Sequence, residues 1–422
     1  MTAPEISRTL VAEGAPRGGL AALCITQTTG GGILYYALPA AVHPISMDTG
    51  WDPALVTGAF SAALFVSAAA GILVGRVLDR TGPRNLIVAG SVTGVLALVV
   101  VGLAPSLPVF YAAWLVAGIA QAAVLFQPAF TMISRWYGPA RIRPLTVLTL
   151  TAGFASTIFA PLTAALSNSI GWRAAFLVLA GLLGVITIPL HARYLNRSWT
   201  SAPHRDLIAT DRTELGAVRR SPAFIGLQAL MVLLCLGLYT VTLNIIPVLM
   251  EKGADYTTAA LGFGLVGAGE VGGGLLFATI PATARISVIT GTATGAILVL
   301  ALLPGPAPML VAAGMLAGAV RGCQTLLQAT IVADRWGTTS LGTLQGSFAA
   351  PITAAAALAP AAGSVIATWL GSYTSMTYAM AAVTGTAALI AATHVSRGPK
   401  SQMKDGLTDQ SHSEPGGSAH CT

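Results

Sequence analysis

The sequence predicts an all-α membrane protein: twelve transmembrane helices in two pseudo-symmetric six-helix halves, with both termini cytoplasmic. Three observations carry this expectation. Of the 422 residues, 54% are hydrophobic and only 9% charged, against about 25% charged residues in a soluble protein. The apolar residues form long runs, each near the ~20 residues that a helix needs to cross the hydrocarbon core. Lys and Arg gather in alternate loops, which is how membrane proteins encode their orientation.

Residues 1–18 are a polar cytoplasmic tail without the short apolar stretch and small-residue cleavage site of a secretory signal. The first apolar run is therefore read as a retained helix. The first half, 19–194, holds spans at 19–43, 54–76, 85–104, 107–134, 144–168 and 173–194. A polar cytoplasmic linker, 195–221, follows, with Arg197, Pro203, Arg205, Arg212, Arg219 and Arg220 among its residues. The second half, 222–396, holds spans at 222–249, 258–281, 286–303, 307–333, 341–369 and 373–395. The spans 107–134, 222–249 and 341–369 are long enough to tilt or to extend past the bilayer. The tail 397–422 is polar and expected to be disordered and cytoplasmic.

With both ends inside, nineteen of the twenty-two Lys and Arg residues fall on inner segments. Arg173 and Lys252 lie in outer loops, and Arg321 lies within a span. One span more or fewer would invert every later loop and scramble this bias. The halves also repeat. Ala117–Gln121 (AGIAQ) aligns with Ala317–Arg321 (AGAVR), Arg135-Trp136 with Arg335-Trp336, Ala160-Pro161 with Ala359-Pro360, and Gly171 with Gly371. The near-constant offset persuades more than any single match. Parallel six-helix halves around a central cavity are a known transporter architecture.

A formal charge of +7 does not point to nucleic acid, because the charges lie in short loops rather than in one basic patch. Cys24, Cys235, Cys323 and Cys421 are far apart, with no ligand spacing; they read as small packing residues, and no cofactor or metal is expected. There is no nucleotide-binding loop, HExxH or GxSxG, so neither an enzyme nor an ATP-driven pump is expected.

Two ionisable residues stand alone within apolar spans, Glu270 in the eighth and Arg321 in the tenth. A charge at the bilayer centre costs several kcal/mol and ordinarily marks an ion or substrate path. Opposite in sign and similar in depth, they are each other's natural partners. If a substrate anion took Arg321 from Glu270, desolvation would favour protonation of the freed carboxylate. The competing reading is a static bridge. Gln324 and Gln328 lie at i+3 and i+7 from Arg321 and share its face. Further polar residues occur in spans expected to line the cavity: Gln27, Tyr36, Gln121, Gln127, Asn244 and Gln345. Tyr36 and Asn244 are repeat-related, each three residues before a proline. For any one of them an interhelical hydrogen bond is an equal alternative to substrate contact. His43 and His191 sit near span ends and read as interfacial.

The most specific local signal is the loop after the second span, Gly75-Arg76-Val77-Leu78-Asp79-Arg80-Thr81-Gly82-Pro83-Arg84. Here the chain resembles the major facilitator superfamily, whose loop signature G-x-L-x-D-R-x-G-x-R is matched at Gly75, Asp79, Arg80, Gly82 and Arg84, with Val77 in place of Leu. Gly75 would permit close helix approach and Gly82 a tight turn. Asp79 has three candidate partners: Arg80, Arg141, or the positive N-terminal end of the eleventh helix near Leu341. The resemblance implies that this contact latches the halves in the outward-open state. The mirrored segment 281–285 keeps only Arg285. The fifth span, with Gly153, Ala160-Pro161 and Ala164-Ala165, resembles a degraded antiporter signature. Gly50-Trp51, and Gly171-Trp172-Arg173 with Phe176, resemble the monocarboxylate and oxalate–formate branch. The resemblance implies a monomeric secondary transporter in the cytoplasmic (plasma) membrane. It would work by alternating access on a small-molecule substrate, with the proton as coupling ion and the lipid bilayer as its surroundings. An organic anion is the expected solute, because Arg321 is the cation of the cavity. The alternative is proton-driven efflux of a drug-like or secondary-metabolite compound.

Overall fold

Helix is the regular structure throughout the computed structural model, which describes residues 16–137, 140, 142–195, 216–336 and 341–395. Helix α1 comprises Gly19–Gly31, a π-helical segment Gly32–Tyr36, and Ala37–Thr49. Helix α2 is Pro53–Thr81 and α3 is Pro83–Leu103. Helix α4 is Leu107–Val124, resuming after Leu125 as Phe126–Tyr137. The helical run Ile142–Tyr194 bends at Gly171 (φ 79°), and its parts 142–170 and 172–194 are α5 and α6. Helix α7 is Pro222–Leu243, resuming after Asn244 as Ile245–Glu251. Helix α8 is Tyr256–Leu276, closed by a 3₁₀ turn Phe277–Thr279. Helices α9 (Arg285–Leu302), α10 (Ala307–Trp336), α11 (Leu341–Leu370) and α12 (Tyr373–Val395) complete the chain.

The helix ends follow local chemistry. The Asp52 carboxylate caps α2 by accepting from the Ala54 amide at 2.7 Å, with Pro53 as the first helical residue. Ser221 and Asp255 cap α7 and α8 in the same way. Gly171 and Gly371, the repeat-related pair, both have left-handed φ (79° and 78°), which glycine adopts without steric cost. Several helices run a few residues past the apolar window that marked them in the sequence, because the backbone continues to its cap rather than to the edge of the apolar run. The tails, most of the linker and residues 337–340 lie outside the described residues.

Among the described residues, ten helical runs are long and apolar enough to cross a membrane. One of these, Arg143–Tyr194, has 52 residues, more than twice the ~20 that a crossing needs. Helix α1, interrupted by its π-segment, is not among the ten. Side chains such as Leu73, Leu96, Val185, Leu275 and Leu302 are exposed, and they give the bundle the apolar outer face that lipid requires.

Among the described residues, buried side chains form two clusters. One is built from α1–α6, and the other from α7–α12 with Ala40, Ala160 and Ala164 of the first half. The halves meet along α5 against α8 and α2 against α11. Hydrogen bonds join them there: Thr157 to the Gly264 carbonyl (2.8 Å), Thr57 to Ser364 (3.1 Å), and the Ala361 amide to Ser61 (3.2 Å). The Tyr256 hydroxyl donates to the Ala40 carbonyl at 2.6 Å.

Within the second half, α8 and α10 touch backbone to backbone. A Cβ added at Gly269 or Gly273 would overlap the carbonyl of Met315 or Ala319. Added at Gly318 or Gly322, it would overlap the carbonyl of Val266 or Glu270. Small residues allow this approach where no hydrophobic drive between helices exists. The Cys323 thiol, in the same seam, donates to the Gly273 carbonyl (3.1 Å), and the Cys235 thiol to that of Ile352 (3.6 Å). Cys421 lies outside the described residues.

Candidate functional site

The glycine seam brings Glu270 and Arg321 together. Arg321 Nε lies 3.7 Å from Glu270 Oε2, with the arginine side chain 3% exposed and the glutamate 21%. That separation is an ion pair but exceeds a hydrogen bond, and Nε has no hydrogen-bond partner among the described residues. The two terminal nitrogens are engaged. One donates to the Thr242 hydroxyl (3.3 Å) on α7, the other to the Tyr36 hydroxyl (3.2 Å) on α1. The guanidinium carbon lies 4.1 Å from the Tyr239 ring centroid, a cation–π contact that gains strength where water is excluded. Four helices, α1, α7, α8 and α10, thus converge on one buried cation. Its wall is aromatic: Tyr35 packs edge-on against Tyr36 and Phe60, and Tyr36 against Phe263.

Gln324, fully buried, donates its amide to Gln328 Oε1 at 3.2 Å, while its own carbonyl oxygen is without a partner among the described residues. Gln27 and Gln121 have other work. Gln121 Nε2 donates to the Leu34 carbonyl at 2.8 Å, inside the π-segment of α1. Gln27 Nε2 donates to the Val124 carbonyl, where α4 breaks at Leu125. Each amide therefore serves a carbonyl at an irregularity of the neighbouring helix. Asn244 behaves similarly at the break in α7. Its Nδ2 donates to the carbonyls of Thr240 (2.9 Å) and Pro360 (3.3 Å), and its Oδ1 accepts from Ser364 (3.2 Å). Of the polar residues picked from sequence, the structure gathers Tyr36, Glu270 and Arg321, joins Gln324 to Gln328 along α10, and sets Gln27, Gln121 and Asn244 between helices. The side chains of Gln127 and Gln345 lie outside the described residues.

Tyr239 and Thr242 escaped the sequence reading. Both are ordinary residues in apolar spans, and the i,i+3 spacing that puts them on one face of α7 is the only signal they carry.

In the loop region, the side chains of Asp79 and Arg80 are outside the described residues, as is Arg141. Gly82 adopts φ 81° at the α2–α3 turn. Arg84 Nε donates to the Ala192 carbonyl at 3.0 Å, tying α3 to the end of α6. Among the described residues, no atom of another segment lies within 4 Å of a Cβ built on Gly75. His191, in the last turn of α6, is buried, and its Nδ1 lies 2.9 Å from the Ser91 hydroxyl. The hydroxyl that meets it lies a hundred residues away in sequence, so no local pattern marks the contact.

A separate cavity of about 490 Å³ opens where α1 ends beside the α5–α6 bend, lined by Pro44, Met47, Asp48, Ser167, Trp172 and Arg173. Asp48 accepts from Trp172 Nε1 (2.8 Å) and pairs with Arg173. The Trp172 and Arg173 hydrogen bonds hold this carboxyl below its ordinary pKa.

The sequence profile of the Major Facilitator Superfamily matches residues 23–287. The MFS transporter asaE of Aspergillus flavus is 28% identical over 167 residues, 38% of this chain and 35% of that protein. Monocarboxylate transporter 11 of Mus musculus is 33% identical over 146 residues, 34% of this chain and 30% of that protein. The chain thus spans about a third of the curated relatives it matches. Among solved structures, a bacterial homologue of the human lysosomal transporter Spinster, inward-facing and unoccupied, aligns with TM-score 0.68 and 17% identity, covering 90% of this chain and 96% of that one. A POT family transporter in complex with 5-aminolevulinic acid aligns with TM-score 0.74 and 13% identity, covering 92% and 99%. At such identities the structural likeness is one of fold.

Proposed function

The chain belongs to the major facilitator superfamily of membrane transporters, and from that premise we propose that it carries a small organic anion by proton-coupled alternating access. The ten membrane-length runs become twelve spans when α1 crosses despite its π-segment and Arg143–Tyr194 crosses twice about Gly171. Both termini are then cytoplasmic, as the Lys and Arg bias requires. The protein works as a monomer in the plasma membrane, its two halves rocking about the site at Arg321.

The observation that carries the anion reading is the unsaturated guanidinium. Arg321 is buried, yet among the described residues its Nε has no hydrogen-bond partner, and its counter-ion stands at 3.7 Å, partly exposed. A carboxylate entering the site could make the short, charge-assisted bonds that Glu270 does not make. Glu270 would then be left without its ion-pair partner, and it is the carboxylate we assign to carry the coupled proton. Substrate load and proton load are coupled in this way. Similarity to a protein named a monocarboxylate transporter supports the same solute class.

The second reading is efflux of a drug-like or secondary-metabolite compound. What favours it is the aromatic wall of Tyr35, Tyr36, Phe60 and Phe263, suited to a flat apolar body.

The test reconstitutes wild type and Glu270→Gln in liposomes and records solute-driven proton movement across a panel from monocarboxylates to hydrophobic amphiphiles. Proton movement with monocarboxylates, abolished by Glu270→Gln, is the expected result. Movement driven only by amphiphiles selects the second reading. Solute flux without protons, equal in both proteins, reduces the pair to a structural bridge.

A further inference from the structure

The two halves contribute unequally to Arg321. Glu270, Thr242 and Tyr239 come from the second half, and the Tyr36 hydroxyl comes from the first. The α8–α10 seam has backbone in contact at Gly322 and Glu270, with no side chain between the helices to yield. Glu270 and Arg321 therefore travel as one body. When one half moves against the other, the distance that changes at this cation is the one to Tyr36.

The route by which Tyr36 reaches Arg321 is uncommon. It ends the π-helical segment Gly32–Tyr36. A π-turn inserts a residue into the helical repeat, and such turns recur at functional sites. Here it turns two adjacent rings towards one cluster. Tyr35 and Tyr36 are 4.9 Å apart; Tyr35 meets Phe60 of α2 at 5.1 Å, and Tyr36 meets Phe263 of α8 at 5.8 Å. The turn is pinned from outside. Gln121, 1% exposed, donates to the Leu34 carbonyl within it, and Gly32 lies so close to Phe159 that a Cβ would overlap the ring.

We propose that Tyr36 is an exchangeable ligand of Arg321, and that Gln121 is the positioning residue that aims it through the π-turn. In the empty site the Tyr36 hydroxyl accepts from the guanidinium; a substrate carboxylate displaces it. The exchange is favourable because a hydrogen bond to an ionised acceptor is roughly twice as strong as one to a neutral acceptor. Displacement also removes a hydrogen bond between the halves, so occupancy of the site loosens α1 from the second half. This rests on Arg321 being the anion anchor.

The test compares full-length wild type, Tyr36→Phe and Gln121→Leu, with Gln228→Leu as a control amide between α7 and α11. Benzoate and lactate are the probes. Binding is read from the thermal shift in detergent, carriage from proteoliposome flux, and the turn from amide hydrogen exchange of residues 32–36. Tyr36→Phe removes the competing hydroxyl, so it is expected to bind the carboxylate about fivefold more tightly, the factor of one net hydrogen bond, while carrying it more slowly. Gln121→Leu is expected to shift binding in the same direction and to speed exchange of 32–36 about tenfold, a local loss of protection; Gln228→Leu leaves that exchange unchanged. Unchanged or weaker binding by Tyr36→Phe overturns the exchangeable-ligand role. Unchanged exchange in Gln121→Leu overturns the clamp. If neither probe binds wild type, or Arg321→Gln binds them equally, the anion reading fails and the ligand role with it. The exchange measurement uses no solute, so it judges the clamp regardless.

Discussion

Arg321 illustrates how much one residue's chemistry decides here. A planar guanidinium can face Glu270, reach Thr242 and Tyr36 with separate nitrogens, and stack on Tyr239 at once. A lysine ammonium keeps the charge but offers neither the fork nor the flat face. Arg321→Lys is therefore expected to remain in the membrane as folded protein and to lose most transport, by at least about tenfold, which is the cost of one charged hydrogen bond at about 1.5 kcal/mol or more. Solute flux normalised to folded protein by size-exclusion profile would check it. Flux within twofold of wild type would mean that charge alone suffices and that the geometry around the guanidinium is incidental. Removing the charge with Arg321→Gln is a harsher change, since it strands Glu270; breaking a buried pair costs about 3–5 kcal/mol, moderated here by the partial exposure of the glutamate.

At the scale of elements, the second half is organised by the α8–α10 seam and the first by the irregularities of α1 and α4. The seam predicts a contrast between neighbouring glycines. Gly273→Ala would drive a methyl into the Ala319 carbonyl, whereas a Cβ on Gly272 meets nothing within 4 Å. Overpacking costs about 1–3 kcal/mol, and a backbone atom cannot turn aside as a side chain can. Gly272→Ala carries no such penalty, and alanine is about 1 kcal/mol the better helix former. Thermal unfolding in detergent should place Gly273→Ala below wild type and Gly272→Ala at or above it. Equal midpoints for the two variants would mean that the seam opens freely. In the first half, Gln27 and Gln121 bridge α1 and α4 in reciprocal directions. Helix breaks expose carbonyls, and the amides answer them.

At the scale of the whole molecule, two cores packed by separate halves meet along α2–α11 and α5–α8. That is the division a rocking movement needs, because each half keeps its own packing while the contact between them changes. Asp79, at the end of α2 in the signature loop, is expected to govern that movement. Asp79→Asn should cut transport while leaving folded protein in the membrane. Flux by the Asn variant equal to wild type would remove the latch from the mechanism.

Much of this was legible in the sequence. The membrane class, the places where helices run and the isolation of Glu270 and Arg321 all follow from local quantities, namely hydropathy over a window and charge within it. The repeat-related Gly171 and Gly371 share a left-handed φ, as their matching positions suggested. The tertiary structure alone decided which polar groups meet. Gln121 is indistinguishable in sequence from a cavity-lining amide, and it becomes a clamp because a π-turn 87 residues upstream presents a carbonyl to it. Tyr239 and Thr242 become ligands of Arg321 because α7 passes that point with one particular face inward. Hydropathy acts residue by residue and is written along the chain. A hydrogen bond depends on distance and direction between helices far apart in sequence, and these exist only once the bundle has packed.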